Sequence, residues 1–313
     1  MRPLRLKPAG QEMFYHVYNR VAGSPSYLPF GDGEKEQFIA LLTRLCQLYT
    51  VEVLAFVVLS NHFHILLYAP ATLLPDEEVC KRYAAYHHFR RELAPGSAAC
   101  REMAAQMRDI SCLMHDLQGQ FSRWFNLSLD DPRRGSLWAS RFKHTLLEGG
   151  VAVWDCWKYI EMNPMRAFLV DDPATYRFCS YGRWCGTNRH PFADNVKARI
   201  LPCCRELLNV HSLNDLRDTL QRHFLLIRAL NARGDEAKAL LAAACGPLPF
   251  RPQAHQRMRY WVDGLVIGTR AFVAKVMSLT SLHSRPPAEA DEESAPGVRL
   301  VCYRRLYEPV QAG

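Results

Sequence analysis

The chain has 313 residues, of which 49% are hydrophobic and 22% are charged, and its formal net charge at pH 7 is +8. Its 11 cysteines include no Cys-x-x-Cys pair, which excludes the disulfide framework of a small secreted domain and favours reduced thiols. The length suggests about two domains. The basic balance favours a polyanionic partner such as nucleic acid, although a modestly basic protein can be merely soluble.

The apolar segments are too short for a membrane protein. The longest apolar run in the first part of the chain, Val53–Leu59, is far below the roughly 18 residues that a membrane span needs. The basic segment Met1–Lys7 is not followed by the apolar region of a secretion signal. We therefore expect a cytoplasmic protein without membrane contact.

The first part of the chain alternates between strand and helix patterns. Period-two alternation and β-branched runs predict strands, whereas apolar residues at helical spacing predict helices. In chain order these are a strand at Phe14–Arg20, a helix at Glu34–Tyr49, a strand at Val51–Leu59 and a strand at His62–Tyr68. This order predicts an α+β domain with an antiparallel sheet that helices cover on one face.

The fourth of these strands carries two histidines, His62 and His64, separated by one apolar residue. Because side chains alternate along a strand, both imidazoles lie on the same face, close enough to bind one divalent ion. One strand can thus supply half of a metal site. The alternative is a half-buried, hydrogen-bonded histidine pair without a metal.

Three more elements follow: a long amphipathic helix at Met107–Leu127, a strand at Arg141–Leu147 and a helix at Val153–Asn163. Tyr159 and Asn163 stand four residues apart in the last helix and therefore share a face. Against the histidine pair, they would place a phenolic nucleophile beside a three-ligand metal centre that can cleave a phosphodiester. Tyr159 as a core anchor and Asn163 as a helix cap are the simpler interpretations. Glu161 should face away from Tyr159.

The last third of the chain is predicted to be mostly helical. Helices are indicated at Lys197–Leu208, Leu213–Ala232 and Asp235–Ala244. The basic and aromatic segment His255–Phe272 leads into a further helix and fits either a helix-turn-helix or an ordinary helical cap. Residues 285–297 have the composition of a disordered acidic linker, and the basic tail 298–313 either folds back as a strand or contacts DNA.

Four motifs in order resemble those of REP-associated tyrosine transposases, the single-tyrosine branch of the HUH endonucleases. They are Phe14-Tyr-His-Val-Tyr-Asn-Arg20, Asn61-His-Phe-His-Ile-Leu66, Gly135-Ser-Leu-Trp-Ala-Ser-Arg-Phe142 and Tyr159-Ile-Glu-Met-Asn-Pro-Met-Arg-Ala167. The resemblance covers roughly residues 10 to 185, and four ordered motifs are far more specific than one.

The resemblance implies a ferredoxin-like HUH domain at residues 1–188, with a helical insertion at about 70–120. It further implies that Tyr159 is the catalytic residue and that His62, His64 and Asn163 are the metal ligands. A mostly helical extension at 189–284, with possible DNA-binding function, would follow. Such an enzyme nicks and rejoins single-stranded DNA near hairpins through a 5′-phosphotyrosine, and it would associate with the nucleoid when bound to DNA.

Magnesium or manganese is the expected cofactor, because the reaction needs an exchangeable, oxygen-rich coordination shell, although two histidines would also tolerate zinc. Arginine can bind phosphate and aromatic rings can stack on bases, so basic residues near aromatic ones or inside the motifs are the expected DNA contacts. These residues are Arg20, Arg123, Arg141, Lys143, Arg166, Arg257, Arg259 and Arg270.

Two other functions fit the same residues. A domesticated hairpin-DNA binder would keep the fold and the charge with weak or no nuclease activity. A metallohydrolase acting on a small phosphoester would form no protein adduct and would need neither Tyr159 nor a basic surface. The sequence fits a monomer as well as a homodimer. It also leaves open whether Tyr159 attacks in the active site of its own subunit or in that of a partner subunit.

Overall fold

The protein is described by a computed structural model covering residues 6–8, 10–132, 134–244, 261–262, 264–279, 288–295 and 298–304. The strands are β1 Met13–Arg20, β2 Glu52–Val58, β3 His62–Ala69, β4 Lys143–Leu147, β5 Gly264–Gly268, β6 Ala288–Ala295 and β7 Val298–Arg304. The helices are α1 Asp32–Leu45, α2 Asp76–Tyr86, α3 Ala98–Met107, α4 Ile110–Leu127, α5 Val151–Glu161, α6 Asn163–Arg166, α7 Ser180–Thr187, α8 Ala193–Leu208, α9 Leu213–Asn231, α10 Gly234–Ala244 and α11 Arg270–Leu279.

All of these strands belong to one sheet with the order β2-β3-β1-β4-β5-β7-β6. Within its first four strands, β1 is antiparallel to both β3 and β4, and β3 is antiparallel to β2. Strands β1 and β2 are therefore parallel, with β3 between them, which is the split β-α-β arrangement of a ferredoxin-like fold. The predicted α+β class with a ferredoxin-like antiparallel sheet is confirmed, and so is the mostly helical character of the segment that follows it.

Helices pack on both faces of the sheet, and not on one face as predicted. On one face, the ring of Phe63 in β3 contacts Phe38 of α1, with 4.8 Å between the ring centroids, and Phe38 contacts Phe121 of α4. On the other face, α5 packs on β2 and β3. The reason lies in β3, where every residue after His62 is buried, so neither face can be left to solvent.

The last part of the chain extends the same sheet. Strand β5 runs parallel to β4, with Leu146 opposite Val266, and β7 pairs antiparallel with β5 and with β6. Residues 288–295 thus form a strand where the composition predicted a disordered linker, and residues 298–304 of the expected basic tail form its partner. Backbone pairing with a neighbouring strand satisfies the peptide groups of this acidic segment, and composition does not report that pairing.

The long helix predicted at Met107–Leu127 is interrupted near its start. Helix α3 ends at Met107 and α4 begins at Ile110, because the Asp109 side chain accepts a hydrogen bond from the backbone N–H of Ser111 and caps α4. The helical insertion predicted at about 70–120 corresponds to α2, α3 and the first half of α4. None of the described helices combines the length and the apolar character that a membrane crossing requires.

Gly182 in α7 allows a close approach that sets how this helix lies on the preceding turn. A Cβ atom at Gly182 would lie 2.0 Å from the carbonyl oxygen of Tyr176 and 3.0 Å from that of Pro173. We expect Gly182→Ala to lower the free energy of unfolding by about 3 kcal/mol, because backbone atoms must shift. In the same helix, Gly186 has no atom within 4 Å of an added Cβ, so Gly186→Ala should raise stability by up to about 1 kcal/mol. Urea unfolding of both variants measures this difference, and equal effects would contradict the packing argument.

Candidate functional site

The two histidines of β3 lie where the strand pattern placed them. His62 and His64 are on the sheet face that α5 covers, and their ring centroids are 5.4 Å apart with an interplanar angle of 85°. Strand β3 is flanked by β2 and β1, so the pair stands on an internal strand of the sheet. The predicted placement of both imidazoles on one face is therefore observed.

Asn61 determines which nitrogen of His62 is available. The Asn61 amide nitrogen donates to the carbonyl oxygens of Pro25 and Tyr27, which directs its oxygen towards His62. That oxygen lies 2.8 Å from His62 Nδ1, and since an amide oxygen only accepts, Nδ1 carries the proton. Burial lowers the pKa of His62 to about 4, and the Arg20 charge acts in the same direction. At neutral pH the ring is uncharged, and its Nε2 lone pair is free to bind a cation.

A third imidazole, His16 of β1, supports His64. The two rings are stacked, and His16 Nε2 lies 2.9 Å from His64 Nδ1. Burial holds the pKa of His64 well below its usual value, with the His16 ring next in effect, so His64 is neutral. When His64 donates from Nδ1 to His16, its own Nε2 is left with a lone pair, as in His62. Sequence reasoning did not assign a role to His16, although strand alternation in Phe14–Arg20 puts it on this face.

Tyr159 of α5 contacts this histidine cluster. Its ring is perpendicular to that of His64, with 5.6 Å between the centroids, and it lies at the same distance from His16. The guanidinium carbon of Arg166 is 4.9 Å from the centre of the Tyr159 ring. Burial raises the pKa of Tyr159 to about 12, and the Arg166 charge opposes this shift. The structure thus brings Tyr159 and His64 together, with a fixed positive charge over the phenol ring.

Asn163 lies in α6 and not in the helix of Tyr159, because α5 ends at Glu161. Its amide nitrogen donates to the carbonyl oxygens of Tyr159, at 2.8 Å, and Ile160. Asn163 therefore caps the end of α5, which is the simpler of the two roles predicted for it. This capping uses the amide nitrogen of the Asn163 side chain and not its oxygen.

The donor set suits a divalent ion only if Asn163 contributes. Within the described part of the chain, no group of three or more His, Cys, Asp or Glu side chains is placed to hold a metal. The predicted ligands are the imidazoles of His62 and His64 and the Asn163 oxygen. Two neutral imidazoles and one amide oxygen bring no charge of their own, which leaves room for the negative charge of a bound phosphate.

The site is covered by the segment that precedes β5. The Trp261 ring lies on the Tyr159 ring, with centroids 5.6 Å apart and an interplanar angle of 30°. The Tyr18 hydroxyl donates to the carbonyl oxygen of Val262, and the Thr145 hydroxyl donates to that of Gly264 at 2.7 Å. Tyr159 is only 2% exposed as a result. Sequence reasoning gave Trp261 no role in the site, since it interpreted this segment as part of a helix-turn-helix or a cap.

Only some of the predicted DNA-binding residues lie near the histidine pair. Arg20 stands opposite His62 in the register of β1 and β3, and Lys143 stands opposite Tyr18 in that of β1 and β4. The loop carrying Arg141 is held to the end of β1 by a hydrogen bond from the Ala139 N–H to the Arg20 carbonyl. Arg20, Lys143 and Arg166 therefore lie near the site, and Arg141 lies in a loop that joins the end of β1.

The remaining predicted DNA contacts lie elsewhere. Arg123 is in α4, in the helix layer on the Phe63 face of the sheet, opposite the histidine face. Arg270 begins α11, which packs on β5 and β7. Arg257 and Arg259 lie outside the described residues.

Glu161 faces away from Tyr159, as predicted, and is buried between α5 and α7. It accepts hydrogen bonds from the Trp157 indole at 3.0 Å, the Ser180 hydroxyl and the Tyr181 N–H at 3.0 Å. Burial raises its pKa from 4.5 to about 7, which these hydrogen bonds oppose.

Between pH 4.5 and 7 the folded protein therefore keeps a proton on Glu161 that the unfolded chain has released, so stability falls as the pH rises through this window. We expect the Glu161→Gln variant to lack this decline. The test is to measure the free energy of unfolding of the wild type and of Glu161→Gln at several pH values between 4.5 and 7. If the two free energies change with pH in parallel, the expectation is contradicted.

The comparisons with known proteins leave the family of this chain open. No protein-family model matches the sequence, and no curated protein matches it. Among solved structures, the chain is similar to a REP-associated tyrosine transposase bound to a REP hairpin, with a TM-score of 0.38 and 15% sequence identity, over 60% of this chain and 86% of that chain. Because a likeness of this size does not establish a shared activity, the chemistry of the site has to be inferred from its own residues.

Proposed function

We propose that this protein is a metal-dependent DNA endonuclease and strand transferase that acts on single-stranded DNA beside a hairpin, with Tyr159 as the nucleophile. The observation that carries the proposal is the contact of the Tyr159 ring with His64, which forms with His62 a pair of neutral histidines on one face of β3. The resemblance of the four ordered motifs to single-tyrosine transposases supports the same assignment.

The reaction exchanges one phosphoester bond for another. The Tyr159 oxygen attacks phosphorus, the bond from phosphorus to the 3′ oxygen breaks, and the phenol proton is lost while the released 3′ oxygen gains one. The 5′-phosphotyrosine conserves the bond energy, so a free 3′ hydroxyl can reverse the step without ATP. His62, His64 and Asn163 would hold Mg²⁺ or Mn²⁺, which when bound polarises the phosphate and offsets its charge.

The surface around the site supports DNA as the substrate. Arg20 stands opposite His62, Lys143 stands opposite Tyr18, and the loop of Arg141 joins the same end of β1, so these residues are placed to bind the phosphates of a strand that passes the histidine pair. Since the Trp261 ring lies on the Tyr159 ring, Trp261 has to move before the phenol can reach a phosphate.

The burial of Tyr159 favours a second function, a hairpin-DNA binder without nuclease activity. In such a protein the cover over Tyr159 stays closed and the basic residues alone act. This function requires neither the histidine pair nor the phenol. Binding that is tight, salt-dependent and independent of divalent metal would identify it.

The test is incubation of the purified protein with end-labelled single-stranded DNA taken from the flanks of its own gene, with Mg²⁺, Mn²⁺ or a chelator, followed by denaturing electrophoresis. We expect a chelator-sensitive covalent adduct, with the DNA fragment mapped by mass spectrometry to the peptide that contains Tyr159. Cleavage without an adduct would move the chemistry to a water nucleophile. Tight hairpin binding with neither cleavage nor adduct would favour the binder.

A further inference from the structure

Arg166 is a partly buried cation whose terminal hydrogen-bond donors are buried and unused. Both terminal guanidinium nitrogens, Nη1 and Nη2, are inaccessible to solvent and have no hydrogen-bond partner among the described residues. No ion pair of Arg166 occurs in that part of the chain either. A guanidinium in water has all of its N–H groups hydrogen-bonded, so leaving several unsatisfied in the interior is unfavourable unless a ligand satisfies them.

Two other partly buried arginines of the protein have carboxylate partners. Arg199 donates from Nε and Nη2 to the two oxygens of Glu52 at 2.9 and 2.8 Å, and Arg228 donates to Asp172 at 3.0 Å. Arg166 has the same donor groups, but no acidic side chain among the described residues is paired with it. Its missing partner is therefore expected to be an anion that comes from outside the chain.

The position of Arg166 indicates which anion this is. Its guanidinium carbon lies 4.9 Å from the centre of the Tyr159 ring, and His64 contacts the same ring from another direction. A tetrahedral phosphate held by Arg166 would lie beside the phenol and within reach of the histidine pair. Two parallel N–H donors match two non-bridging phosphate oxygens, which a lysine could not reproduce.

We propose that Arg166 is the phosphate-binding residue of this site, and that its Nη1 and Nη2 groups hold the two non-bridging oxygens of the phosphate that Tyr159 attacks. This inference rests on the proposed function for the identity of the reacting phosphate, but the binding of an anion by Arg166 does not. By fixing the phosphate against the phenol, Arg166 orients phosphorus for attack. It also stabilises the negative charge that grows on these oxygens in the transition state.

Arg177 provides a matched control. Its guanidinium carbon also lies over an aromatic ring, 4.7 Å from the centre of Phe178, but its side chain is 60% exposed and its nitrogens are paired with Asp32 and Glu36. Arg166→Gln and Arg177→Gln remove the same charge and the same kind of ring contact. Only the first removes unsatisfied donors beside Tyr159.

The first measurement is thermal unfolding in inorganic phosphate against chloride of equal ionic strength. We expect phosphate to raise the melting temperature of the wild type and of Arg177→Gln, and to leave that of Arg166→Gln unchanged. Arg166→Lys, which keeps the charge without the paired donors, should show a smaller rise than the wild type. An equal rise in the wild type and Arg166→Gln would overturn the proposal.

The second measurement is the single-turnover rate of adduct formation. Arg166→Gln should slow it by at least about 100-fold, while DNA affinity falls by less than about tenfold because one phosphate contact among many is lost. A rate equal to that of the wild type would overturn the role of Arg166 and leave the proposed function standing. If the wild type itself forms no adduct but phosphate stabilisation still depends on Arg166, the nuclease proposal fails and the anion site stands.

Discussion

Tyr159→Phe should abolish the covalent protein–DNA adduct while DNA affinity and the fold are retained. Removing a catalytic nucleophile commonly slows an enzyme by about 10⁴-fold or more. The ring itself makes the packing contacts with His64, His16 and Trp261, and phenylalanine keeps all of them. Denaturing electrophoresis measures the adduct, and fluorescence anisotropy with a labelled hairpin measures binding.

Tyr18→Phe is the matched variant for this experiment. Tyr18 lies on the same sheet face, 5.6 Å from the His64 ring, but its hydroxyl donates to the Val262 carbonyl and so belongs to the cover of the site. We expect Tyr18→Phe to keep forming the adduct. Adduct formation by Tyr159→Phe, together with its loss in Tyr18→Phe, would identify Tyr18 as the nucleophile. If neither variant forms the adduct, peptide mapping of the wild-type adduct identifies the nucleophile.

The parts of the site that could be predicted from sequence depend on local spacing. His62 and His64 share a face because a strand alternates, and Glu161 faces away from Tyr159 because a helix turns by about 100° per residue. Both relations hold whatever the rest of the chain does. The end of that helix was predicted less well, since α5 ends at Glu161 and Asn163 begins the short helix α6.

The supporting residues of the site could not be predicted, because tertiary pairing brings them there. His16 reaches His64 only through the register of β1 and β3, which places Tyr18 opposite His64. Trp261 reaches Tyr159 only because β5 continues the sheet beside β4. A five-residue apolar run such as Gly264–Gly268 fits a strand or a buried helix end equally well from periodicity alone.

Composition misled the prediction for the end of the chain. The acidic residues 288–295 have the charge and the low apolar content of a linker, yet they pair with β7 as strand β6. An edge strand needs backbone partners on one side only and tolerates charged side chains, which also protect the edge from pairing with other chains. Charge content therefore separates linkers from edge strands poorly.

His62→Ala and His64→Gln should each remove metal-dependent cleavage. In the proposed site each histidine supplies one Nε2 donor, and two neutral rings without a neighbouring carboxylate leave no substitute ligand among the described residues. We expect the affinity for Mn²⁺, measured by the paramagnetic resonance of the free ion, to fall by at least about 100-fold in either variant. His115→Ala, at an exposed position on α4, is the control that should leave it unchanged.

Measuring the Mn²⁺ affinity directly distinguishes a variant that has lost the metal from one whose fold is disturbed. His64 is buried and bonded to His16, so its replacement can disturb the sheet as well as the site. His62 is partly exposed and donates to Asn61, so His62→Ala should fold with wild-type stability and still lose the metal. Wild-type Mn²⁺ affinity in His62→Ala would show that the pair is a hydrogen-bonded structural element and not a ligand pair. If, in addition, Tyr159→Phe binds hairpin DNA equally well with and without divalent metal, the protein is identified as a hairpin binder.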